Sequence, residues 1–143
     1  MGIEILGACE IRWPESGVLQ SDGYSVYYSG PPNNLHRNGV AVILQNNLSS
    51  SVRSFVPISD RVMLLQLYGS PVNVNVIQVY APTADKSEQE VEEFYGQVSD
   101  ALAYTKKNEV NVIMGDFNAK VGNVPSANVT GQFGLGESRF VAS

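Results

Sequence analysis

The 143 residues suffice for one domain of ordinary size, and a chain of this length buries about 68–70% of its unfolded surface. Apolar residues make up 43% and charged residues 16%, which excludes an intrinsically disordered chain; the net charge of −5 argues against gripping nucleic acid by bulk electrostatics, where Lys and Arg must displace counterions. The single cysteine, Cys9, excludes an intramolecular disulfide, and no basic region followed by a long apolar run opens the chain, so an intracellular, reducing compartment is expected and no membrane partner.

In chain order, residues 3–9 form a buried strand candidate, with Glu10 at its end. Four apolar or β-branched segments follow, at 24–28, 39–44, 52–56 and 62–67, separated by Ser29-Gly30-Pro31-Pro32-Asn33-Asn34 and by Asn46-Asn47, and they read as antiparallel neighbours joined by loops. Val72-Asn73-Val74-Asn75-Val76 alternates strictly and continues to Tyr80 before Pro82 stops it, which predicts a strand over 72–80. Ser87 and Glu90 form a capping box, with Glu88, Glu92 and Glu93 adding charge that suits a helix N-terminus. Val91, Phe94, Tyr95, Val98, Ala101, Leu102 and Thr105 recur at helical spacing, so the helix should run over 87–107, closed by Lys106 and Lys107.

Residues 110–114 then predict a short strand ending at Gly115, completing a strand–helix–strand unit with a normally right-handed crossover. Tyr80 and Asp116 would end neighbouring parallel strands, the edge where open α/β sheets bind ligands. From Gly122 to Ser143 no period is sustained, and the spacing predicts an irregular, partly mobile tail; Gly131 to Gly136 reads as loop, not as a phosphate cradle.

Met114-Gly115-Asp116-Phe117-Asn118-Ala119 sets a carboxylate and a carboxamide two residues apart where a strand ends. Phosphodiester cleavage needs a positioned water and relief of the charge that grows on the phosphoryl oxygens. Asp116 could orient or deprotonate the water, Asn118 and the Tyr80 hydroxyl could donate to the phosphoryl group, and Glu10 is a suitable hard-oxygen ligand for Mg²⁺. On spacing alone the plainer readings stay open: Asp116 and Asn118 capping a turn, Tyr80 a core aromatic with a wet hydroxyl, Glu10 a surface charge.

Cys9-Glu10-Ile11-Arg12-Trp13, Gly39-Val40-Ala41-Val42, Val79-Tyr80-Ala81-Pro82 and Gly115-Asp116-Phe117-Asn118-Ala119 occur in the order seen in the endonuclease/exonuclease/phosphatase superfamily. The chain resembles, more narrowly, the apurinic-type endonuclease domain of non-LTR retrotransposons. That resemblance implies an α+β fold, a four-layer αββα sandwich of which the N-terminal part is present, and Mg²⁺-dependent (or Mn²⁺-dependent) nicking of DNA in the nucleus to leave a 3′-hydroxyl. It matches Glu10 to the metal-binding glutamate, Tyr80 to the tyrosine on the scissile phosphate, Asp116 to the aspartate that positions water and Asn118 to its supporting asparagine. Arg12 and Trp13 follow the glutamate where members of the family approach substrate, although Trp13 equally suits packing.

The chain departs from the family pattern in three ways. It begins after the strand that carries a metal-holding Asn, Ile11 stands where relatives place Thr, and the later Asp and the Ser-Asp-His segment are missing, which suggests a truncated or spliced copy of reduced activity. His36, the only histidine, reads as an exposed loop residue. A chain supplying mostly one sheet would leave an apolar face open, so self-association is expected. A catalytically silent interaction module and a phosphatase of lipid or inositol phosphates are the alternative functions.

Overall fold

Alternating inward apolar and outward residues sort the chain onto two sheets in a computed structural model that describes residues 5–117, 129–133 and 137–142. The elements in order are β1 (Ile5–Cys9), β2 (Ser16–Ser21), β3 (Tyr24–Ser29), β4 (Val40–Gln45), a 3₁₀ turn (Asn46–Ser51), β5 (Val52–Pro57), β6 (Val62–Leu67), β7 (Val74–Tyr80), α1 (Glu88–Leu102), β8 (Val110–Asp116), β9 (Val129–Phe133) and β10 (Glu137–Ala142). One sheet has the order β2-β3-β4-β1-β10-β9 and the other β5-β6-β7-β8. Among the described strands only β7 and β8 run parallel, in a register that sets Tyr80 beside Asp116, as the strand–helix–strand pattern predicts.

The main core lies between the sheets. Val40, Val42 and Leu44 of β4 meet Met63, Leu65, Val76 and Met114 of the four-stranded sheet, and the Tyr27 and Phe55 rings cross edge to face at 5.5 Å. A second apolar cluster lies on the outer face of the four-stranded sheet, where Phe94 and Ala101 of α1 cover Val62, Leu64, Ile77 and Val79. The described residues therefore make three layers, helix on sheet on sheet, in an α+β sandwich. No described element covers the outer face of the six-stranded sheet, where Leu6, Ile43, Val26 and Leu19 form one cross-strand row.

Several expectations need correction. The chain carries both sheets and closes the core between them, so the open inter-sheet face that motivated self-association does not exist. The capping box forms as read, but α1 ends at Leu102: the Ala103, Tyr104 and Thr105 N–H groups bond carbonyls three or four residues back in tightening turns, and the Thr105 hydroxyl closes on the Leu102 carbonyl at 2.7 Å. β8 runs past Gly115 to Asp116, because glycine alone tolerates the backbone there, with φ of +146° and the Val79 carbonyl where a Cβ would stand. β2 escaped the sequence reading, its signal being the Asp22-Gly23 turn that joins it to β3. Within the stretch read as an irregular tail, 129–133 and 137–142 pair as β9 and β10; the rest of it lies outside the described residues.

Candidate active site

The carboxyl ends of β7 and β8 meet the end of β1 from the opposite sheet. Cys9, the last residue of β1, donates its thiol to the Val79 carbonyl at 3.4 Å and accepts from the Gln78 amide at 3.3 Å and from the Asp116 backbone. Gln78 is fully buried and packs against Gly7, where a Cβ would collide with its amide, so a glycine in β1 is what lets the two sheets approach. Burial pushes the Cys9 thiol up to about 11, leaving it protonated and unreactive at neutral pH.

This suture brings Glu10 to Tyr80. The Tyr80 ring belongs to the inter-sheet core, and the Glu10 carboxylate, on the wall of the same cleft, is in position to accept a hydrogen bond from its hydroxyl. Burial first, then that bond and the Glu10 charge, push the phenol up to about 12, with Arg61 acting in the opposite direction. Tyr80 is thus a neutral hydrogen-bond donor across the physiological range. Glu10 itself is half exposed, turns the chain with a φ of +57°, and pairs loosely with Arg12 at 3.8 Å. Such an exposed pair contributes little to stability and leaves the carboxylate available.

A cleft of about 440 Å³ opens at this junction, with Glu10, Asp60, Arg61 and Tyr80 among its walls. Three of the four residues singled out from the sequence therefore lie at one edge: Tyr80 and Glu10 line the same cleft, and Asp116 stands beside Tyr80 in the parallel register while its backbone bonds Cys9. Asn118 lies outside the described residues. Trp13 is both packed and open, lying edge to face on Tyr28 at 5.2 Å with 40% of its surface exposed. His36 is exposed as read and contacts the Arg12 carbonyl at 3.4 Å. Arg61 and Asp60 went unnoticed in the sequence; their signal is a pair of opposite charges interrupting an apolar run between β5 and β6.

Among the described residues no group of three or more His, Cys, Asp or Glu clusters as a metal cage. Magnesium does not demand one, since it keeps several waters and is held by one or two carboxylates plus substrate phosphates. The hard-oxygen donors at this edge, the open Glu10 carboxylate above all, fit that mode of binding.

Fold and site together define an α+β sandwich with oxygen-bearing side chains gathered where strands of both sheets end. Among solved structures the chain is similar to humanized D. rerio TDP2 carrying 14 mutations, with a TM-score of 0.50 over 77% of this chain and 48% of that one; at 15% identity the likeness is of fold. In sequence it is similar to craniofacial development protein 2 of Tragulus javanicus and of Bos taurus, 41% identical to each over 136 residues. These alignments cover 95% of this chain but 24% and 23% of the relatives, so the chain spans about a quarter of their length. No family model matches it.

Proposed function

We propose that the chain contributes metal-binding and water-positioning residues to a phosphodiester-hydrolysing site, in an endonuclease-like domain of retrotransposon descent that acts on DNA in the nucleus. The observation that supports this reading is that Glu10 and Tyr80 line one cleft at the end of the strand pair that also presents Asp116. Glu10 would hold Mg²⁺ or Mn²⁺, and a bound divalent ion would offset charge on the scissile phosphate and the leaving oxygen. Asp116 orients the attacking water or takes its proton. Tyr80, protonated, donates to a phosphoryl oxygen, and Asn118 supports Asp116 by the family resemblance. Arg37 and Lys86 line the cleft and supply local positive charge to a chain that is acidic overall.

The test is nicking of supercoiled plasmid with Mg²⁺ by the wild type and by Asp116→Ala. Removing a positioned acid–base group costs about 10²–10⁴ in rate, so the variant should fall to background. Equal background from both proteins would reject catalysis by this chain. A second reading, a catalytically silent interaction module, draws on His36, the chain's only histidine, which is not among the residues that line the cleft.

A further inference from the structure

We infer that Arg61 is a positioning residue for Tyr80, the last link of a hydrogen-bonded strut that sets the distance between the Glu10 loop of one sheet and the Tyr80 strand end of the other. Its functional consequence rests on the hydrolase reading; the strut itself does not.

Glu10 and Tyr80 belong to different sheets, and apolar packing between sheets is non-directional, so it cannot by itself hold two polar tips at hydrogen-bond distance. The link runs through the turn between β5 and β6. The Arg12 and Ile11 N–H groups donate to the Asn38 and Gly39 carbonyls at 2.9 and 3.4 Å, tying the Glu10 loop to the segment that enters β4. That segment is held in turn by Asp60: the Gly39 N–H donates to the Asp60 carbonyl at 2.9 Å, and the Asn38 amide donates to its carboxylate at 2.9 Å. The Ser59 hydroxyl accepts from the Arg61 and Val62 N–H groups and donates to Gln97 of α1, which fixes the turn on the helix side, while the Ser29 hydroxyl reaches the Ser59 carbonyl from β3 at 2.6 Å.

Arg61 completes the chain of contacts by gripping Tyr80 three times. Its carbonyl accepts the Tyr80 N–H at 2.8 Å, its Nη1 donates to the Tyr80 carbonyl at 2.9 Å, and its guanidinium lies 5.1 Å from the centre of the Tyr80 ring. Backbone and ring are restrained together, which fixes where the hydroxyl stands in the cleft that Tyr80 shares with Glu10. Strain at the far end of the strut agrees: Glu10, Arg12 and Asn38 all hold left-handed φ values of +57°, +61° and +51°, each costing about 1 kcal/mol or more for a residue with a Cβ, and such conformations persist only where the surroundings over-determine them.

The experiment compares Arg61→Met, which keeps the stem and removes the charge and the fork, with Arg61→Lys, each alone and combined with Tyr80→Phe. In plasmid nicking, Tyr80→Phe should lower kcat by about 10²-fold, Arg61→Met by about tenfold to 10²-fold with KM little changed, and Arg61→Lys by less. Neither Arg61 change should cost anything further in the Tyr80→Phe background; additive losses would overturn the inference, and the Lys variant carries the same test should the Met variant fail to fold. A second arm needs no activity: in isotope-labelled protein, proton cross-relaxation between the Tyr80 ring and the Glu10 side chain should be present in the wild type, weakened in Arg61→Lys and absent in Arg61→Met. Persistence of that contact in Arg61→Met would overturn positioning by Arg61. A wild type that does not nick DNA refutes the hydrolase reading and leaves this second arm to decide the strut.

Discussion

The two ends of the β7–β8 pair use the same residue types to opposite purpose. At the amino end, Asn75 donates to Glu109 and to Asn111 at 2.9 Å each and accepts from Gln66 at 2.9 Å, Gln66 also reaches the Tyr104 carbonyl, and Arg53 pairs with Glu109 at 3.4 Å. The Glu109 side chain is 4% exposed, and its partners are other side chains and the turn that follows α1. At the carboxyl end, Glu10 is half exposed, its neighbour Arg12 is more so, and a cleft stands open beside them. A buried polar network in which most groups find partners, the Arg53 Nε being the exception, locks a helix onto a sheet; one that keeps a carboxylate wet and borders a cavity is equipped to receive a ligand.

That contrast can be broken by removing the lock. Asn75→Ala should destabilise the chain by about 3 kcal/mol, because Glu109, Asn111 and Gln66 lose a common buried partner, while nicking by the protein that remains folded is unchanged. Denaturant titration measures the first and the plasmid assay the second; a specific loss of activity would mean that the two ends are not separable.

A smaller effect sharpens the same point through pH. The Asn75 amide, with help from the Lys106 N–H, holds the Glu109 carboxyl below its ordinary value of 4.5. A lowered folded value means that this contribution is present above 4.5 and is lost as the pH falls through the folded value. Wild type should therefore melt above Glu109→Gln at neutral pH, and the two curves should converge on acidification. Smallest of all, Ser87→Ala removes the hydroxyl that accepts from the Glu90 N–H and should cost about 1 kcal/mol, with no change at either end of the strand pair.

The strand–helix–strand unit was legible because its signals are local: strict alternation to Tyr80, a capping box spanning four residues, and a β-branched run to Met114. Those signals were enough to set Tyr80 against Asp116. Glu10 could be placed at a strand end but not against Tyr80, since the contact crosses from sheet to sheet and leaves no period in the sequence. The strut through Asn38, Asp60 and Arg61 was invisible for the same reason: its hydrogen bonds join residues some twenty positions apart, such as Asn38 and Asp60. The end of α1 was overrun because Thr105 to Lys107 keep helical spacing and favourable charge while the backbone has already tightened into turns. β9 and β10 lie in a glycine-rich stretch whose alternation is too weak to announce a hairpin.

Whether Glu10 and the Tyr80–Asp116 strand ends form a metal-binding site is tested most directly by heat unfolding with increasing Mn²⁺, for the wild type and for Glu10→Ala. An ion that binds only the folded chain stabilises it by about 2.7 kcal/mol at one hundred times its dissociation constant. The melting temperature of the wild type should rise saturably and that of Glu10→Ala should not move; equal shifts in the two proteins, or none in the wild type, would rule out Glu10 as the ligand.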